Sequence, residues 1–142
     1  MLVSTKGRYA LRVMIDLAEN YDGHYIPMKD VAARQDVSLK YITKIMPALT
    51  KAGLVEGLHG KGGGYRLTRA PEEYTAGEIL RLTEGTLAPV ACLEEGAPPC
   101  DRAAECKTLP MWRKLDQNIS GYLDSVTLLQ LMGQDPADNY VI

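Results

Sequence analysis

Three cysteines, Cys92, Cys100 and Cys106, lie within fifteen consecutive residues and are the only cysteines of a 142-residue chain. Thiolates gathered this closely suit soft-metal or iron–sulfur chemistry. Three thiols cannot all pair with one another, so a metal, a cluster or a thiol sensor fits better than a structural disulfide. Zinc is the second choice of metal, because three thiolates and one oxygen would complete a tetrahedral site. Free thiols with no cofactor are the plain alternative. A thiol-redox or electron-transfer protein is a distant one. The chain has no Cys-x-x-Cys, no dinucleotide fingerprint and no convincing acid–base pair, and it is not expected to be an enzyme.

A second set of residues suits a polyanion. The formal charge is −2, but residues 1–70 carry eleven Lys/Arg against six Asp/Glu, and residues 71–142 five against twelve. Only the basic half is expected to meet nucleic acid. Within it Ser38, Lys40, Tyr41, Thr43 and Lys44 fall on the polar side of a helical pattern, and His59 and Lys61 sit in a glycine-rich turn. Lysines suit phosphates or guanine edges, and hydroxyls suit base edges or backbone. Any one of these lysines could simply be solvated surface. Their grouping with the wing and the helix order points to double-stranded DNA. The glycine run lacks a phosphate loop's spacing and its Lys-Ser/Thr ending.

The elements that must hold these residues can be read from periodicity. An amphipathic helix is predicted over 5–20, with Tyr9, Leu11, Val13, Met14, Leu17 and Ala18 on its apolar stripe. A short helix over 27–34 follows. After a brief break Ser38 caps a third helix through Lys51, with Leu39, Ile42, Ile45, Met46 and Leu49 toward the core and Pro47 loosening a turn. Two short strands, 54–56 and 64–68, around a glycine-rich turn over 57–63 make a hairpin. Thr75 with Glu78 reads as a capping box for a fourth helix to Gly85. A last long helix begins near Pro110. Its apolar residues Trp112, Leu115, Ile119, Tyr122 and Val126 step by 3, 4, 3 and 4, the seam of a helix that packs on a partner helix.

The expected fold is thus mainly α with a small β-hairpin wing: a winged helix-turn-helix over 1–70, a connecting helix and cysteine loop over 71–108, and a dimerisation helix and tail over 109–142. No apolar run is long enough to span a bilayer, and Met1 to Arg8 lack a signal peptide's apolar core, so a cytoplasmic protein with no membrane partner is expected.

The segments Ser4-Thr5-Lys6-Gly7-Arg8-Tyr9-Ala10, Ser38-Leu39-Lys40-Tyr41, Ala52-Gly53-Leu54-Val55, Gly60-Lys61-Gly62-Gly63-Gly64-Tyr65 and Thr75-Ala76-Gly77-Glu78-Ile79 resemble, in order and over nearly the whole chain, the Rrf2 family of bacterial transcriptional regulators. The cysteine loop and the following Leu109-Pro110-Met111-Trp112 resemble its IscR-like, three-cysteine iron–sulfur type. The resemblance implies a homodimeric winged-helix regulator, a repressor by expectation. It also implies a labile 2Fe-2S cluster on Cys92, Cys100 and Cys106. A cluster takes four ligands. In the IscR-like type a histidine three residues after the last cysteine is the fourth, and here that position is Leu109; in another branch it is a partner-subunit aspartate, and here the matching position is Arg8. Asp101, Glu105, Glu94, Glu95, an exogenous thiol or water stay open as the fourth ligand. His59 stands where this type often carries an arginine that enters the minor groove. A cofactor-free regulator governed by a partner protein or metabolite, as in members lacking the cysteines, is the alternative.

Overall fold

The computed structural model describes residues 3–133. Helix α1, Thr5–Glu19, starts where the Ser4 hydroxyl accepts the Gly7 N–H, and it buries Ala10, Val13, Met14 and Leu17. Helix α2, Met28–Gln35, buries Val31 and ends at Asp36, a non-glycine residue with φ of 53°. Asp tolerates that left-handed conformation better than most side chains. The tight turn lets Ser38 cap α3, Leu39–Lys51, by accepting the Tyr41 N–H. Helix α3 runs unbroken through Pro47.

Asp16 braces these helices. It is a buried carboxylate on α1 that accepts from Arg34 at 2.8 Å and from the Gln35 side chain at 3.0 Å. Arg12 also reaches Gln35. Asp16 lies on an otherwise apolar stripe, so periodicity alone does not reveal this network.

Strands β1, Val55–Leu58, and β2, Gly64–Leu67, pair antiparallel with Val55 opposite Leu67 and Leu58 opposite Gly64. Ile26, just before α2, bridges to Tyr65 by two backbone hydrogen bonds and extends the hairpin by one pairing. A Cβ at Gly64 would collide with the Ile26 carbonyl, which is why the wing's base needs glycine.

Helix α4, Ala76–Glu84, packs on α1 through Ile79 and Leu80. Its cap is half of the predicted box. The Thr75 hydroxyl accepts the Glu78 N–H, but the Glu78 carboxylate turns away to pair with Arg69 at 2.8 Å. An arginine offers a charged partner where the box offers only a backbone N–H. Helix α5, Leu109–Ser125, is tied to α4 by Arg81 and Asp124. Val126 lies beyond its end, in extended conformation, so the expected seam stops one residue short. There the chain turns back: the Ala76 N–H bonds the Val126 carbonyl, Thr75 bridges Thr127, and the single turn α6, Leu128–Leu131, buries Leu128 under α1. A Thr127–Gln130 capping box starts that turn. Residues 134–142 of the predicted tail lie outside the described residues.

Two side chains on α3 depart from the expectation. Leu39 is 45% exposed rather than buried, because the first turn of α3 projects past its neighbours and the core begins at Ile42. Tyr41 is half-buried and edge-on to Tyr9, with ring centroids 5.4 Å apart, so it serves packing first. The fold is otherwise the expected one: a three-helix unit with a two-stranded wing, followed by α4 and a long α5.

Candidate DNA interface and cysteine cavity

Helix α3 presents Ser38, Leu39, Lys40, Thr43 and Lys44 to solvent over its N-terminal half. Its sequence contains no acidic residue. The hydroxyls are already engaged: the Ser38 oxygen accepts from Tyr41, and the Thr43 hydroxyl donates to the Lys40 carbonyl at 2.8 Å. Lys40 and Lys44 have no ion-pair partner among the described residues, so their charge is available to phosphate. In the wing His59 and Lys61 are exposed on the glycine turn. Gly60 and Gly62 have φ of 90° and 76°, which allows that tight reversal. His59 also lines a small cleft with Thr50 of α3 and Tyr65 of β2, so the wing tip and the C-terminal half of α3 share one surface.

The cysteine loop, between α4 and α5, is stitched by short-range turns. Leu93 and Glu94 bond back to Val90 and Ala91, Ala103 to Cys100, and Glu105 to Arg102. Cys92 and Cys100 are exposed and Cys106 is half-exposed. All three nevertheless line one cavity of about 270 Å³, closed on the α5 side by Leu109 and Arg113. Cys106 is held below the ordinary thiol range, first by the Thr108 hydroxyl 3.5 Å away, then by backbone N–H groups of Thr108 and Leu109 and the charge of Arg102. Hydrogen bonds to a thiolate favour its ionised form.

The donor set fits a soft metal in type and would supply three of the four ligands that a 2Fe-2S cluster takes. Leu109 faces this cavity and donates nothing. Of the carboxylates open as a fourth ligand, Glu94 and Glu95 line a separate cavity with Arg81 and Asp116, and neither Asp101 nor Glu105 is on the wall of the cysteine cavity. No three His, Cys, Asp or Glu among the described residues converge closely enough to form a closed metal site. Arg113 is a residue of this cavity that the sequence did not signal. It lies next to the apolar seam and reads as ordinary polar surface, and only the return of the loop onto α5 puts it on the wall of the cavity that the thiols line.

On α5 only Leu109 is buried. Of the expected seam, Leu115 and Tyr122 are 40% and 69% exposed, and Trp112, Ile119 and Val126 are half-buried. Ile119 and Tyr122 line an open apolar groove of about 390 Å³ with Val3, Leu80 and Leu123. No helix of the described residues is long and apolar enough to cross a membrane.

Helix order, wing and an acid-free, lysine-bearing third helix define a winged-helix transcriptional regulator that binds DNA. The profile of the Rrf2 family, described as iron-dependent transcriptional regulators, matches residues 3–134, and the chain belongs to that family. The transcriptional regulator IscR of Aliivibrio salmonicida is 36% identical over 132 residues, 93% of this chain and 77% of that one. Two solved structures are close in shape. CymR, the global cysteine regulator of B. subtilis, has a TM-score of 0.77 at 34% identity, over 95% of this chain and 99% of that one. IscR of T. potens has a TM-score of 0.74 at 31% identity, over 100% and 93%.

Proposed function

We propose that this regulator is a cytoplasmic homodimer that represses transcription, and that it senses iron–sulfur or redox status through a 2Fe-2S cluster held by Cys92, Cys100 and Cys106. The observation that carries the reading is the single cavity lined by all three thiols at the start of α5. The IscR relatives and the iron-dependent family description support it. A bound cluster would supply a redox-responsive clamp on the loop. The chain's own residues do the rest. Ligated thiols would hold the loop against α5, Thr108 favours the Cys106 thiolate, and Arg113 brings a cationic side chain to the cavity wall. The loop connects α4, which packs on α1, to α5, so tightening it bears on the DNA-reading unit. Ser38, Lys40, Thr43 and Lys44 enter the major groove, Tyr41 steadies α3 by packing on Tyr9 of α1, and His59 and Lys61 track the neighbouring backbone. A dimer reads two half-sites about 34 Å apart, so small movements of the heads change affinity.

The test is anaerobic purification followed by a visible spectrum with iron and acid-labile sulfide analysis. Colour with two irons and two sulfides per chain is the expected result. Colourless protein that still binds DNA as a dimer would overturn the cluster. Leu109, which brings no donor to the cavity, favours a second reading in that case: a cofactor-free regulator answering to a partner protein or metabolite.

A further inference from the structure

We propose that α3 reads thymine, through an apolar edge formed by Leu39 and the methyl group of Thr43 packing on 5-methyl groups in the major groove. The inference deepens the assignment of α3 as the groove-entering helix and rests on it. Leu39 is 45% exposed although large and apolar, and Thr43 one turn later is also exposed. Residues four apart on a helix are separated by only about 40° around its axis and form one row. The Thr43 hydroxyl is turned back onto the Lys40 carbonyl at 2.8 Å. Its only proton is used there, and the methyl is left as the group free to meet a base edge. Ser38 is likewise engaged as the helix cap, and Tyr41 is packed against Tyr9.

What this face offers to a base is therefore chiefly apolar, beside a parallel row of Lys40 and Lys44. Those lysines fit the phosphates that flank a groove. In the major groove the methyl group belongs to thymine alone among the four bases. An exposed leucine bordered by cations on a helix without acidic residues is matched by a methyl-bearing floor between phosphate walls. Cytosine, and uracil in place of thymine, present no such surface.

The experiment begins with selection of duplexes from a randomised library by the wild-type protein. The selected duplex is then remade with deoxyuridine replacing thymidine one position at a time, and binding is measured for the wild type, Thr43→Ser, Thr43→Val and Leu39→Ala. The wild type is expected to lose about fourfold in affinity at each contacted thymine, the value of one buried methyl. Thr43→Ser keeps the hydroxyl and should erase the loss at one of those positions, and Thr43→Val, which keeps a methyl, should preserve it. Leu39→Ala should erase the loss at a neighbouring thymine; should that variant fold poorly, the serine and valine pair decides alone. Wild-type binding indifferent to uracil at every position overturns the inference, as does a Thr43→Ser protein as sensitive as the wild type everywhere. A library that yields no enriched sequence overturns the placement of α3 in the groove and the thymine reading with it, which separates the two failures.

Discussion

Tyr74 joins three stretches of chain with one hydroxyl. Fully buried, it donates to the Leu54 carbonyl at 2.7 Å and accepts the N–H groups of Thr68 and Arg69, each at 2.9 Å. It fastens the end of the wing to the start of the hairpin and to the entry of α4. Tyr74→Phe keeps the ring but takes the donor from the buried Leu54 carbonyl and the acceptor from the part-buried Thr68 and Arg69 N–H groups. A loss of about 2–3 kcal/mol in urea unfolding is expected, from the desolvation cost of unsatisfied buried groups. Asp16 is the charged counterpart. Asp16→Ala leaves Arg34 and Gln35 without their acceptor, at a cost of about 2–3 kcal/mol. That is less than for a wholly buried pair, because the Arg34 side chain is 40% exposed. Loss of under 0.5 kcal/mol in either variant would mean the bond contributes nothing net. Neither residue was legible in sequence as a keystone, since a lone Asp on an apolar stripe or a lone Tyr in a link before a helix gives no sign of its partners far along the chain.

At the scale of elements, α3 and the wing are proposed to divide the DNA contact. Lys40→Ala and Lys44→Ala should each weaken binding and lower the slope of log affinity against log salt by about one unit. Slopes unchanged in both would take this helix off the phosphate backbone. The tie between α4 and α5 is weaker and depends on pH. Arg81 holds the Asp124 carboxyl below its ordinary range, by hydrogen bond first and charge second. A folded-state pKa below the unfolded one means the contribution is present above the ordinary carboxylate range and is lost as pH falls through the lower folded value. Both side chains are 40% or more exposed, so the pair contributes no more than about 1 kcal/mol. Asp124→Asn should be less stable by that margin at neutral pH, with the gap closing in acid; a gap that stays constant to pH 2 would exclude the ion pair as its source. The helices and the wing were readable because their stripes, caps and glycines are local signals. Leu39 misled because it follows the stripe in angle while standing beyond the core in height. The return of the chain at Val126 to Leu128 was missed because it depends on a backbone pairing with Thr75, about fifty residues earlier in the chain, that no window can see.

At the scale of the molecule, α5 is a helix whose one buried residue is Leu109, while Leu115 is exposed and Tyr122 stands open in the groove formed with Val3 and Leu80. Burial at about 25 cal/mol per Å² gives this face a strong tendency to find cover, and the 3–4 spacing of its apolar residues fits a second helix of the same kind. Ile119 is half-buried in the single chain, so a charge there is tolerated in the monomer and penalised only when a second α5 closes over it. Ile119→Asp should therefore sediment as a monomer with the helical content and melting of a folded chain, and it should lose affinity for a two-half-site operator far more than for one half-site. A stable Ile119→Asp dimer would put the interface elsewhere. The same variant bears on the sensor, because the cysteine cavity is walled by Leu109 and Arg113 of α5 itself. With only three thiol donors on that wall and a loop stitched by local turns, cluster retention is expected to be poor in air for the wild type, and any single Cys→Ala change should abolish it even under anaerobic conditions. If the fourth ligand comes from within the chain or from solvent, anaerobic Ile119→Asp monomers keep iron and sulfide at the dimer's stoichiometry; if it comes from the partner subunit, monomers emerge colourless. A triple cysteine variant that still carries iron and sulfide at wild-type levels would remove these thiols from the cluster altogether.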